Sequence, residues 1–275
     1  MGGRGPRFTP GAVILDPLIA QVLILEDDAG HQTLLVAVDQ IGVDRETGSR
    51  LRYALAECTG IPYAAVIVNF SHTHSGPMAS MAAYAANLPA PPALTAYGEE
   101  RDHKIVAAAQ QALTALRPAT LTLHRGESHI GINRRNRNAQ GETAMLPNRD
   151  ALYLPDLPVF DLRTDNGGRA LLFSHACHPV IVYGHAWDAI SAEYPGVCRR
   201  HLRHTLGAGV HCQFMQGFTG NIRPRIVADL VEGRFRKSTP EDVTATGVTL
   251  AKDVLHTLNA PGETLTLAIR AAQGW

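Results

Sequence analysis

Two short histidine clusters hold the chemical content of this chain. His72-Thr73-His74 follows the apolar run Ala64-Ala65-Val66-Ile67-Val68, and Ser75-Gly76-Pro77 then breaks the segment. Alternate residues of a strand point to one face, so a buried strand ending in His-x-His delivers two imidazoles to one place. That place is the carboxyl edge of a sheet, where α/β enzymes commonly open their sites. A second cluster, Ser174-His175-Ala176-Cys177-His178-Pro179, follows another apolar run, Ala170-Leu171-Leu172-Phe173. Zinc takes its ligands from separate strands, and neutral imidazole is its commonest nitrogen donor. An isolated His-x-His is more often a pair of capped or solvent-facing side chains; recurrence after a second apolar run makes a shared ion the sharper reading. The spacing does not choose between His175 and His178, and one of them reads as a buried, hydrogen-bonded core histidine.

Composition narrows the function classes. Acidic and basic residues balance at 25 each, so no global field favours nucleic acid, an anionic membrane or an acidic partner. Cys58, Cys177, Cys198 and Cys212 form no C-x-x-C pair, which argues against a structural zinc knot or a disulfide framework and for free buried thiols. No apolar stretch approaches the roughly 20 residues of a membrane span. Met1-Gly2-Gly3-Arg4-Gly5-Pro6 lacks the apolar core of a signal peptide, so the chain as written reads as cytoplasmic, and as secreted if a leader precedes this start. The length suits one large domain over 1–275 with a sizeable core. It sets no oligomeric state.

The elements that must position the histidines are legible in outline. Ile19 to Glu26 and Leu34 to Asp39 read as strands joined across Asp27-Asp28-Ala29-Gly30 as a hairpin. Leu51, Ala54, Leu55 and Cys58 follow helical spacing between Asp44 and Cys58, and Gly60 and Pro62 stop that helix. Gly76 to Thr95 has no period and reads as an irregular excursion over the sheet edge. A helix from Glu99 to Leu116, a strand over Leu121 to His124, and a hairpin of Val159 to Arg163 with Ala170 to His175 follow. Between Gly126 and Leu152 lies a polar stretch containing Ile132-Asn133-Arg134-Arg135-Asn136-Arg137-Asn138. Its arginines read as solvated surface, with one available as a cation for the metal site; without interleaved aromatics an RNA surface is a poor fit. Further helices span Ala192 to Leu206 and the segment from Ser238-Thr239-Pro240-Glu241 to Leu258, with a strand at His211 to Met215. Leu265, Leu267 and Ile269 alternate like a half-buried strand that stops abruptly.

These pieces, in their order, resemble the catalytic domain of neutral, non-lysosomal ceramidases and their shorter bacterial relatives. The resemblance rests on Asp16-Pro17-Leu18, Asp39, His72-Thr73-His74-Ser75-Gly76-Pro77, Asn133-Arg134-Arg135, His178-Pro179, Ile190-Ser191-Ala192-Glu193-Tyr194-Pro195-Gly196 and Gly220-Asn221-Ile222-Arg223-Pro224. It implies an α/β fold of mixed sheets flanked by helices, incomplete at its C-terminus relative to the family domain. It also implies a zinc-dependent hydrolase of an N-acyl amide bond in a lipid or amphiphilic small molecule. His72 and His178 would be zinc ligands, His74 a catalytic acid-base residue and Arg134 the cation facing the scissile carbonyl. The family's glutamate and tyrosine ligands have no counterpart in these residues, and spacing supports none of Asp39, Asp188 or Glu193 in their place. In the family block G-D-V-S-P-N the acid here is Asn221 and the hydroxyl is Arg223, and Glu193 stands where aspartate is usual. Two other readings remain at this stage: a barrel-type metal-dependent amidohydrolase, which also begins with His-x-His, and an inactive relative that binds ligand only. The hairpins count against the barrel, whose strands run parallel.

Overall fold

The computed structural model describes residue 11, residues 13–78 and residues 91–272. In chain order its strands are β1 (Val13–Ile14), β2 (Ala20–Glu26), β3 (Gln32–Val38), β4 (Val66–Phe70), β5 (Ala119–Glu127), β6 (Gly131–Arg137), β7 (Thr143–Asn148), β8 (Asp156–Thr164), β9 (Arg169–His175), β10 (Ala189–Ile190), β11 (His211–Gln216), β12 (Ile222–Pro224), β13 (Ala228–Asp229), β14 (Arg234–Phe235) and β15 (Glu263–Leu265). The α-helices are α1 (Arg45–Thr59), α2 (Pro92–Thr114), α3 (Glu193–Leu206) and α4 (Pro240–Asn259).

The histidine-bearing halves are built on two sheets. In the first, β2 and β3 form the expected hairpin, with Asp27 Oδ1 accepting from the Ala29 and His31 amides across the turn. β3 then pairs in parallel with β4 after the chain crosses through α1. Asp44 caps α1 by accepting from the Thr47 amide, and Gly60 at φ 74° ends it in a left-handed turn that glycine adopts without strain. Leu51 and Leu55 of α1, with Ile105 and Ala109 of α2, bury the face carrying Leu34, Val36 and Val66.

The second sheet has the order β11-β9-β8-β5-β15, with β11 and β9 parallel and the remaining neighbours antiparallel. α3 and α4 cover its core face, where Cys198, Leu202, Leu250 and Val254 pack with Leu157, Phe173 and Phe214. A capping box between Thr239 and Asp242 opens α4. The side-chain amide of Asn69 joins the two sheets: its Oδ1 accepts from the Gln216 amide at 2.8 Å and its Nδ2 donates to the Gln216 carbonyl at 3.1 Å. It thus serves β11 as a peptide group of a neighbouring strand would.

Several expectations are corrected. The polar stretch between Gly126 and Leu152, to which the sequence assigned no element, is a sheet: β6 and β7 pair within it, and β12 adds to β6 in a three-stranded antiparallel arrangement. Helix α2 begins at Pro92, before Glu99, with proline in the first turn where no amide partner is lost. Most of the excursion from Gly76 to Thr95 lies outside the described residues. The terminal ladder ends at Leu265, although Leu267 and Ile269 remain half-buried in alternation and the Ile269 amide donates to Asp27 Oδ2. The described sheets are mixed or antiparallel in all but a two-residue pair, so the parallel barrel is set aside.

Candidate active site

His72 does not reach its place as the alternate residue of a strand. β4 ends at Phe70, and His72 lies beyond it in the left-handed region at φ 64°. That conformation costs a non-glycine residue about 1–3 kcal/mol unless the surroundings fix it. Here they do. The His72 amide donates to the Gln40 carbonyl at 2.9 Å, and ring Nδ1 lies 2.6 Å from the Ile41 carbonyl. Thr73 Oγ1, on the buried side, donates to the Ser191 carbonyl and accepts from the Ser75 amide. The two imidazoles lie close together, but by a turn beyond the strand end and not by strand alternation.

His178 is held from the other half. Its amide donates to the Ile222 carbonyl, and its Nδ1 lies 2.6 Å from the Thr219 carbonyl and 3.0 Å from that of Ile222. A carbonyl partner requires Nδ1 to carry the proton, which leaves Nε2 as the lone-pair nitrogen of both His72 and His178. Burial, then the Arg134 charge, pulls the His178 pKa down to about 4, and burial also lowers that of His72. Both rings are neutral at neutral pH. His175 is the core histidine of its cluster: it is buried, with Nδ1 on the Asp156 carbonyl and its pKa pulled by burial to about 4.

The three rings converge. Ring centroids are 4.9 Å apart for His72 and His178, 5.0 Å for His72 and His74, and 5.7 Å for His74 and His178. One nitrogen from each lies within 4.8 Å of the others, and among the described residues no other three His, Cys, Asp or Glu side chains gather in this way. Neutral imidazoles oriented through Nδ1, as those of His72 and His178 are, leave Nε2 as the ligating nitrogen and fit zinc. Among the described residues no carboxylate belongs to the cluster: Asp39 is engaged with Arg199, Glu193 accepts from the Val182 amide, and Asp188 is exposed.

Arg134 lies at the same place. Its amide, on β6, donates to the Asn221 carbonyl, while Nε and Nη2 both donate to the Gly220 carbonyl. Nη2 then stands 3.4 Å from His178 Nε2. Burial and the nearby Arg135 and Arg223 lower its pKa, yet a guanidinium stays charged at any ordinary pH. Sequence reading missed an aromatic wall beside His74, where Tyr183 lies 5.9 Å from the His74 ring and Trp187 a further 5.6 Å from Tyr183. The signal was available in the aromatic pair Tyr183 and Trp187 a few residues past His178-Pro179.

No family model and no curated protein matches the chain in sequence. Solved structures do match. A ceramidase complexed with C2 superposes with a TM-score of 0.64 at 19% identity, over 87% of this chain and 38% of that one. The fold is that of the matching part of neutral ceramidase. The neutral ceramidase of Pseudomonas aeruginosa gives a TM-score of 0.63 at 20% identity, over 87% of this chain and 39% of its own. The chain thus spans less than two fifths of the ceramidase chains it matches. Among the described residues no helix is long and apolar enough to cross a membrane.

Proposed function

We propose that this chain carries the site of a zinc-dependent hydrolase that cleaves the N-acyl amide bond of a lipid or other amphiphilic small molecule, as a ceramidase does. The convergence of His72, His74 and His178 beside Arg134 carries this reading, and the ceramidase fold supports it. The Asn69 bridge between the sheets supports treating the described residues as one catalytic unit.

His72 and His178 would hold the ion through Nε2. Zinc in such a site supplies Lewis acidity toward a carbonyl and lowers the pKa of water to about 7. Arg134, desolvated and fixed by the Gly220 carbonyl, places a cation where the amide oxygen gains charge. His74 holds the proton for the departing amine, which hydrolysis requires because an amide anion is a poor leaving group. Tyr183 and the half-exposed Trp187 offer an apolar wall for an acyl or alkyl chain beside His74.

The test is zinc content of the purified protein together with fatty-acid release from an N-acyl substrate. His72→Ala should lose the ion, whereas His74→Ala should keep it and lose turnover. Loss of zinc in both variants would make His74 a ligand. Tight zinc without turnover in the unaltered chain would instead indicate a ligand-binding relative.

A further inference from the structure

We propose that Gln216 is the positioning residue that sets the separation of His72 and His178, an inference that rests on the metal-site reading above. Its side chain spans the two loops. Nε2 donates to the Ser71 carbonyl at 2.8 Å and to the Cys177 carbonyl at 3.0 Å, while Oε1 accepts from the Cys177 amide at 3.4 Å. Ser71 immediately precedes His72, and Cys177 immediately precedes His178. One primary amide therefore grips the residue before each histidine and uses both of its donors to do so.

The grip is itself anchored. The Gln216 main chain ends β11, where it is in register with His175, the last residue of β9. On its other side the Asn69 side chain bonds both the Gln216 amide and its carbonyl. The next residue, Gly217, passes so close to Ala176 that an added Cβ would lie 3.3 Å from its Cα. The backbone of Gln216 thus cannot drift without disturbing both sheets. The His74 amide, which donates to the Pro179 carbonyl at 3.2 Å, also joins the two loops directly, but it acts beyond the histidines and through a longer bond than either that Gln216 Nε2 donates. The sheet ladder is complete without the Gln216 side chain, so its bonds serve the loops past the strand ends. Those loops carry the imidazoles.

The experiment compares the full chain with Gln216→Met, which keeps the bulk and removes the bonds, and with Leu250→Ala, a truncation in the α4 core. In metal-free protein, NMR should show a nuclear Overhauser effect between the His72 and His178 rings that weakens or vanishes in Gln216→Met. Zn2+ affinity, read by competition with a chromophoric chelator, should fall on the order of 10–100-fold, the usual effect of removing a group that orients a ligand. The visible bands of bound Co2+ should shift as well. Leu250→Ala should lower the melting temperature but retain the ring contact and the Zn2+ affinity. Unchanged ring contact and Zn2+ affinity in Gln216→Met would overturn the proposal. If the unaltered chain binds no Zn2+ while the ring contact still depends on Gln216, the metal reading fails and the positioning role stands.

Discussion

Arg199, on α3, closes on Asp39 at the end of β3, with side-chain exposures of only 6% and 1%. Nη1 meets Oδ1 at 3.0 Å and Nη2 meets Oδ2, which also accepts from the Ile19 amide. The pair ties the first sheet to the helix of the second half one residue before Gln40, whose carbonyl holds His72. Asp39→Ala leaves a buried guanidinium without its counter-charge and should cost about 3–5 kcal/mol in urea unfolding. The double variant Asp39→Ala/Arg199→Leu should recover much of that loss. A double variant as unstable as the single would show that the cost lies in packing and not in the orphaned charge.

On the proposed mechanism, in which the Arg134 cation acts on charge that develops in the transition state, Arg134→Ala should lower kcat on the order of 10²–10³-fold with bound zinc unchanged. Arg134→Lys should recover little, since one ammonium cannot both hold the Gly220 carbonyl and face the substrate in the manner of a planar fork. A rise in KM at constant kcat would assign Arg134 to ground-state binding.

Glu193 supplies a pH dependence away from the histidines. Burial raises its carboxyl from the ordinary 4.5 to about 8, with the Asp16 charge adding to the effect. Tyr194 and Cys177, which also lie within its field, are both pushed up and stay neutral. The folded chain binds this proton more tightly than the unfolded one, so the contribution is fully present below about 4.5 and is lost as pH rises toward 8. Glu193→Gln cannot ionise and should flatten that decline. The variant's melting temperature relative to the parent should therefore rise between pH 5 and pH 8, and parallel curves would refute the assignment.

Trp187→Ala should raise KM for long-chain N-acyl substrates more than for short ones. Its exposed ring extends the wall that begins at Tyr183 beside His74. An equal effect on both chain lengths would remove Trp187 from the acyl path.

The fold was legible where burial is one-sided. The hairpin of β2 and β3, helix α1, the hairpin of β8 and β9, and helices α3 and α4 all follow from period and punctuation, because each has one face on a core and a glycine, proline or cap at its end. β6 was not legible, since residues such as Arg135, Asn136 and Arg137 point to solvent and its register slips between Asn133 and Arg135. The convergence of His72, His74 and His178 was anticipated, but the carbonyls that orient two of these rings come from Ile41, Thr219 and Ile222. Main-chain acceptors leave no trace in residue type, and that part of the site becomes visible only in three dimensions.

The left-handed backbone at His72 sets stability and chemistry against each other at a single codon. Glycine enters that region without the steric cost that any side chain, histidine included, must meet. A library of all residues at position 72, screened only for folded yield, should thus enrich Gly over the parent residue. The same library screened for Zn2+ retention should return histidine. On the proposed metal role, a relative that no longer holds the ion should show it first at position 72, as a drift toward residues that suit the turn better.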